Sequence, residues 1–113
     1  MTSLIVLTTL PDRDSAAALA AHLVERRLAA CVSIQAPCRS VYRWQGAVEQ
    51  ADEVPLMIKT AADRYEELAT AIRERHPYAV PELIALPIVA GDTAYLDWIV
   101  AETRPGSTGE PAA

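Results

Sequence analysis

The chain has 113 residues, 51% of them hydrophobic and 22% charged, with no Phe and a formal net charge of −5. That length gives one domain with an aliphatic core, and the acidic balance excludes nucleic acid and anionic membrane as the main partners, because both require a basic footprint. The apolar run Leu4-Ile5-Val6-Leu7 has no basic flank and is too short for a signal peptide or a membrane span, so a cytoplasmic location is expected.

Ser3 to Thr9 is β-branched and almost continuously apolar, the pattern of a strand buried on both faces. Pro11 stops it, and Asp12 is placed to cap a helix. From Asp14 to Leu28, residues Ala16, Leu19, Ala20, Leu23 and Val24 recur at helical spacing, with His22, Glu25 and Arg26 on the other side. Ala29 to Ile34 forms a second apolar strand, interrupted at Gln35-Ala36-Pro37. Ser40 to Trp44 then alternates, placing Ser40, Tyr42 and Trp44 on one face, and Gln45-Gly46 turns the chain. Val48 to Thr60 returns, polar at first and apolar at its end. Residues 30 to 59 together predict a long hairpin with a buried base and a tip that a domain this small cannot cover. The economical cover is another copy of the chain.

Thr60 and Asp63 are spaced like a capping box before a helix over Asp63 to Arg75, with Tyr65, Leu68, Ala69 and Ile72 inward. Pro77 ends that helix by His76. Leu83 to Val89 is the last core strand, and Pro87 within it requires an edge position or a bulge. Gly91-Asp92 leads into a final helix, Thr93 to Glu102, with Tyr95, Leu96, Ile99 and Val100 inward. The domain therefore spans residues 1–103, and Arg104 to Ala113, small, polar and rich in Gly and Pro, is expected to be a disordered tail. The order β-α-β-β-α-β plus a helix predicts an α+β, ferredoxin-like fold, an antiparallel sheet with its helices on one face.

The chemistry-bearing residues are sparse. The sequence holds no CxxC, HxxxH or HExxH metal pattern, no phosphate loop and no nucleophile in a glycine elbow. His76 is the one candidate metal ligand, set against a simpler role of ending its helix with positive charge. His22 belongs to a solvated helix face, and Cys31 to a buried strand as an inert thiol. Cys31 and Cys38 would stand roughly 23 Å apart on an extended chain, too far for a disulfide. Glu49, Asp52 and Glu53 could gather a hard cation, but strand alternation splays them. Tyr42 and Trp44 suit either a ligand cleft or an aromatic anchor in a subunit interface.

Five blocks in order carry a resemblance. They are Ala29-Ala30-Cys31-Val32-Ser33-Ile34, Ser40-Val41-Tyr42-Arg43-Trp44-Gln45-Gly46, Ile58-Lys59-Thr60, His76-Pro77-Tyr78 with Val80-Pro81-Glu82-Leu83-Ile84-Ala85-Leu86-Pro87-Ile88, and Gly91 with Tyr95-Leu96-Asp97-Trp98-Ile99. From about residue 4 to 103 the chain resembles the CutA divalent-cation tolerance family. The resemblance implies a tight homotrimer packed like the PII signalling proteins, no enzymatic activity, no required cofactor, and a role in tolerance of divalent metals, with copper binding attributed to the family. It also implies an intersubunit cleft lined here by Cys31, Tyr42, Trp44, Lys59, His76, Tyr78 and Glu82. Thr8 and Arg75 stand where some members carry copper-ligating Cys and His, which leaves His76 as the remaining ligand of that set. The alternative is a PII-like module holding a small anionic ligand between subunits, with Lys59, Arg43 and His76 as donors and an unidentified protein as its partner.

Overall fold

The computed structural model describes residues 1–106, so the expected tail lies outside the described residues except for its first three positions. Five strands and three helices follow the order β1 (Ser3–Leu10), α1 (Arg13–Glu25), β2 (Cys31–Ile34), β3 (Cys38–Trp44), β4 (Ala47–Ala61), a 3-10 turn (Ala62–Arg64), α2 (Tyr65–Arg75), β5 (Ile84–Pro87) and α3 (Thr93–Glu102). The sheet is antiparallel throughout, in the order β2-β4-β1-β5 with β3 also on β4. This is the ferredoxin-like arrangement that the element order predicts.

One face of the sheet carries the core. Val6 and Leu10 of β1 and Val54, Leu56 and Ile58 of β4 pack against Ala16, Leu19 and Leu23 of α1 and Leu68, Ala71 and Ile72 of α2. Alternation puts the odd-numbered residues of β4 on the other face. There α3 crosses the sheet, with the Lys59 ammonium 5.6 Å from the centroid of the Tyr95 ring. The two helices of the ferredoxin-like unit thus share one face as expected, and the C-terminal helix takes the opposite one. Its inward set is smaller than the periodicity predicts: Ile99 is buried, whereas Tyr95 is exposed.

Helix boundaries differ from the pattern for local reasons. α1 ends at Glu25, three residues before the apolar spacing runs out. Arg27 adopts a left-handed φ of 57°, and the amides of Arg27 and Leu28 donate back to the carbonyls of Val24 and Leu23. This double closure of the helix end lets Leu28 fold back into the core. Asp12 caps the N-terminus as expected, its carboxylate accepting from the Ser15 amide at 2.7 Å. The Thr60–Asp63 capping box does not form. The Thr60 hydroxyl is buried and donates to the Leu28 carbonyl at 2.7 Å, while Asp63 accepts two 2.7 Å hydrogen bonds from the Arg104 guanidinium. Arg104, expected to open a free tail, is therefore tied to the 3-10 turn before α2.

The hairpin is the long element that the sequence predicts. Gln45 and Gly46 both have positive φ, 50° and 84°, forming the two-residue turn that matches strand twist. At its base Ile34 pairs with Leu56 but Cys38 pairs with Glu53, so β2–β3 carries one residue more than β4. The break at 35–37 faces Pro55, whose carbonyl accepts from the Gln35 amide. That bulge bends the hairpin, and every residue from 41 to 50 is exposed. The molecule measures 47 × 31 × 22 Å as a result. β5 is an edge strand paired only with β1, as Pro87 requires. It is shorter than expected and all four of its residues are exposed, so it is no core strand within one chain.

Candidate functional site

A groove of about 760 Å³ opens where the bent hairpin passes the loop between α2 and β5. Its aromatic walls are Tyr42 and Trp44 from β3 and Tyr78 from the loop; its acidic side chains are Glu49 and Glu53 from β4 and Glu82 from the loop. Tyr42 pairs with Glu49, and Trp44 with Ala47 beside the turn. The register therefore aims both aromatics and Glu49 to one side of the ribbon.

The floor of this groove is a closed polar ring. His76 is 9% exposed. Its Nε2–H donates to the Thr9 carbonyl at 2.7 Å, and its Nδ1 accepts from the Tyr78 amide at 3.2 Å. Thr9 lies two residues past the last β1–β5 pair, Leu7 with Ile84, so the histidine provides the donor that β5 does not reach to give. The Thr9 hydroxyl donates to Glu53 Oε2 at 3.1 Å. The Tyr78 ring sits 4.9 Å from the His76 ring. Burial first, then the Glu53 carboxylate beside it, push the Tyr78 phenol up to about 12. The hydroxyl is held protonated against an acceptor.

The residues singled out from sequence thus divide into two groups within one chain. Tyr42, Trp44, Tyr78 and Glu82 line the groove, and His76 lies beneath it with both ring nitrogens engaged. Cys31 and Lys59 are register partners on the α3 face of the sheet. The Cys31 thiol lies 4.0 Å from the Ser33 hydroxyl, and Lys59 reaches Tyr95. Cys38, like Cys31, is a free thiol. Among the described residues no three His, Cys, Asp or Glu side chains converge as a metal would need. Thr9 and Glu53 are the site residues that sequence reasoning missed as a pair. Glu53 sits in the polar half of β4, where it reads as one solvated charge among several, and the β1–β4 register, Thr9 with Pro55, is what sets it beside Thr9.

Comparison with known proteins gives a consistent answer. The chain matches the family described as CutA1 divalent ion tolerance protein over residues 4–102. It is 44% identical over 99 residues to the divalent-cation tolerance protein CutA of Thermus thermophilus, covering 88% of this chain and 96% of that one. The CutA of Pectobacterium atrosepticum is 42% identical over 102 residues, covering 90% and 93%. Among solved structures, CutA1 from Oryza sativa superposes with a TM-score of 0.90 at 38% identity, covering 94% of this chain and 97% of that one. A protein from Archaeoglobus fulgidus described as a periplasmic divalent cation tolerance protein gives 0.87 at 32% identity, covering 90% and 99%. Fold and sequence agree over nearly the whole length of these relatives, and the chain belongs to the CutA1 divalent ion tolerance family.

Proposed function

We propose that this protein serves divalent-cation tolerance as a non-catalytic homotrimer in the cytoplasm, with copper or another divalent cation bound at positions completed between subunits. The observation that carries this reading is the distribution of exposed apolar side chains. Tyr42, Trp44 and Val48 on the hairpin, Ile84 and Leu86 on β5, and Tyr95 and Trp98 on α3 are all 39% exposed or more. Three separate elements offering large apolar side chains to water favour a partner on several sides. A closed ring of like copies meets that need, each hairpin lying against a neighbour.

The metal reading follows from what one chain lacks. His76 joins a copper site only by giving up its contact to Thr9 or to Tyr78, and no other ligating group converges on it among the described residues. A cation held by this protein would therefore draw ligands from more than one subunit. The same engagement of His76, and the separation of Cys31 from the groove, support a role without catalysis. A small anionic ligand is the weaker alternative: Lys59 and Arg43 lie outside the groove lining, which holds three carboxylates.

Sedimentation at micromolar concentration tests the assembly, with a trimer expected; a stable monomer would overturn it. A copper titration of the wild type beside His76→Ala and Cys31→Ala tests the rest. Binding that disappears when the assembly is dissociated is expected, little changed by His76→Ala. Binding retained by the dissociated chain and abolished by His76→Ala would assign a single-chain site and refute the reading. Cell fractionation decides the cytoplasmic placement, a periplasmic pool being the contrary result.

A further inference from the structure

Little apolar surface fastens α3 to the sheet. Ile99 is its one buried apolar side chain; Leu96 and Val100 are half-buried, and Tyr95 and Trp98 are exposed. A helix of ten residues is marginal on its own and depends on what it packs against. The polar fastenings sit at its two ends. At the first, the Lys59 ammonium lies 5.6 Å from the Tyr95 ring centroid. At the second, one guanidinium makes two kinds of contact. Arg104 Nε donates to the Val100 carbonyl at 2.9 Å, closing the last turn of the helix. Its Nη1 and Nη2 donate to the two carboxylate oxygens of Asp63, each at 2.7 Å. Such a forked pair is the strong form of a charged contact. Glu102 adds only a 3.9 Å pair with Arg27, and the buried Thr103 hydroxyl turns back to the Ile99 carbonyl of its own helix. Both members of the Arg104–Asp63 clasp are over a third exposed, so water and salt reach it.

We propose that α3 is a strap, held closed on the sheet by the Arg104–Asp63 clasp and released as a unit when that clasp opens. Residues 88–92, which belong to no strand or helix, are its pivot. The rings of Tyr95 and Trp98, 5.6 Å apart, are presented to a second copy only while the strap is closed. The presentation of that aromatic pair rests on the assembly proposed above, whereas the clasp is built within one chain.

The test is amide hydrogen exchange of the full-length protein in its native assembly, at low and high sodium chloride. Asp63→Asn removes the charge and leaves the Arg104 contact to Val100 in place, so it separates the clasp from the helix cap. It should speed exchange of the α3 amides by about tenfold, with α1 and α2 unchanged. High salt should speed α3 exchange in the wild type and have little further effect on Asp63→Asn. Arg104→Lys, which keeps the charge without the fork, should fall between the two. Arg73→Gln, at an exposed position on α2, should exchange as the wild type. Equal α3 exchange in the wild type and Asp63→Asn would overturn the proposal, and so would a loss of protection spread evenly over every element. Sedimentation then tests the presented face. Asp63→Asn should shift the assembly toward the monomer at low micromolar concentration, and an unmoved assembly would overturn that part. A wild type that is already monomeric would refute the assembly, while the exchange comparison still decides the clasp.

Discussion

His76 shows how a residue that looks like chemistry can be structural within its own chain. Its ring closes the β1 ladder at Thr9 and fixes the loop at Tyr78, both from a position 9% exposed. Replacing it with Ala leaves a carbonyl without its donor, and a cost of about 2 kcal/mol is expected. His76→Gln, whose side-chain amide can still donate toward Thr9, should recover part of that in thermal unfolding; equal losses would show that the hydrogen bond is immaterial. Tyr78 carries a second prediction. Its phenol is raised from 10.0 to about 12, by burial first and then by Glu53. A group whose folded value is raised contributes stability that is fully present below pH 10 and lost as pH rises toward 12. Melting temperature should therefore fall more steeply across that window in the wild type than in Tyr78→Phe, and parallel curves would contradict the assignment. The aromatic half of this site was legible in the sequence because Tyr42 and Trp44 share a strand parity. Glu53 was not, because parity says which side a residue takes and nothing about which residue of a distant strand its register sets beside it.

At the scale of elements, the strands and helices follow their apolar periods, and the departures fall where backbone closure competes with that period. The amphipathic spacing of α1 runs on to Leu28, yet the helix stops at Glu25 because the chain closes through Arg27 in the left-handed region. Such a closure favours glycine, since a Cβ there costs roughly 1 kcal/mol. Arg27 recovers little through its 3.9 Å ion pair with Glu102, both side chains being over a third exposed. Arg27→Gly should consequently be neutral to stabilising, by up to about 1 kcal/mol in denaturant unfolding. A clear destabilisation would mean that the Arg27 side chain matters more than its backbone. The capping box misled for a related reason. Its spacing is a local signal, and two long-range partners, the Leu28 carbonyl and the Arg104 guanidinium, outcompete it for Thr60 and Asp63.

The whole molecule explains why β5 reads as core in the sequence and lies exposed in the chain. Ile84 and Leu86 face the same side as Leu7 and Ile5, their register partners, which is the side away from α1 and α2. α3 covers the Lys59 end of that face and leaves Ile84 and Leu86 at 50% and 47% exposure. A single sequence records that a residue must leave water but not whether its own chain or a copy receives it. The distinction can be drawn by experiment. Val24 on α1 is 42% exposed, close to Leu86, but it belongs to the helical face. If the β5 face is buried by assembly, Leu86→Lys places a charge in a dry contact and removes about 2 kcal/mol of apolar burial per subunit. Val24→Lys should do neither. Leu86→Lys is therefore expected to shift sedimentation toward the monomer and lower the melting temperature in a concentration-dependent way, because assembly and folding are linked by mass action. Val24→Lys should keep the wild-type sedimentation. Two variants that both sediment as the wild type would refute burial of β5 between subunits.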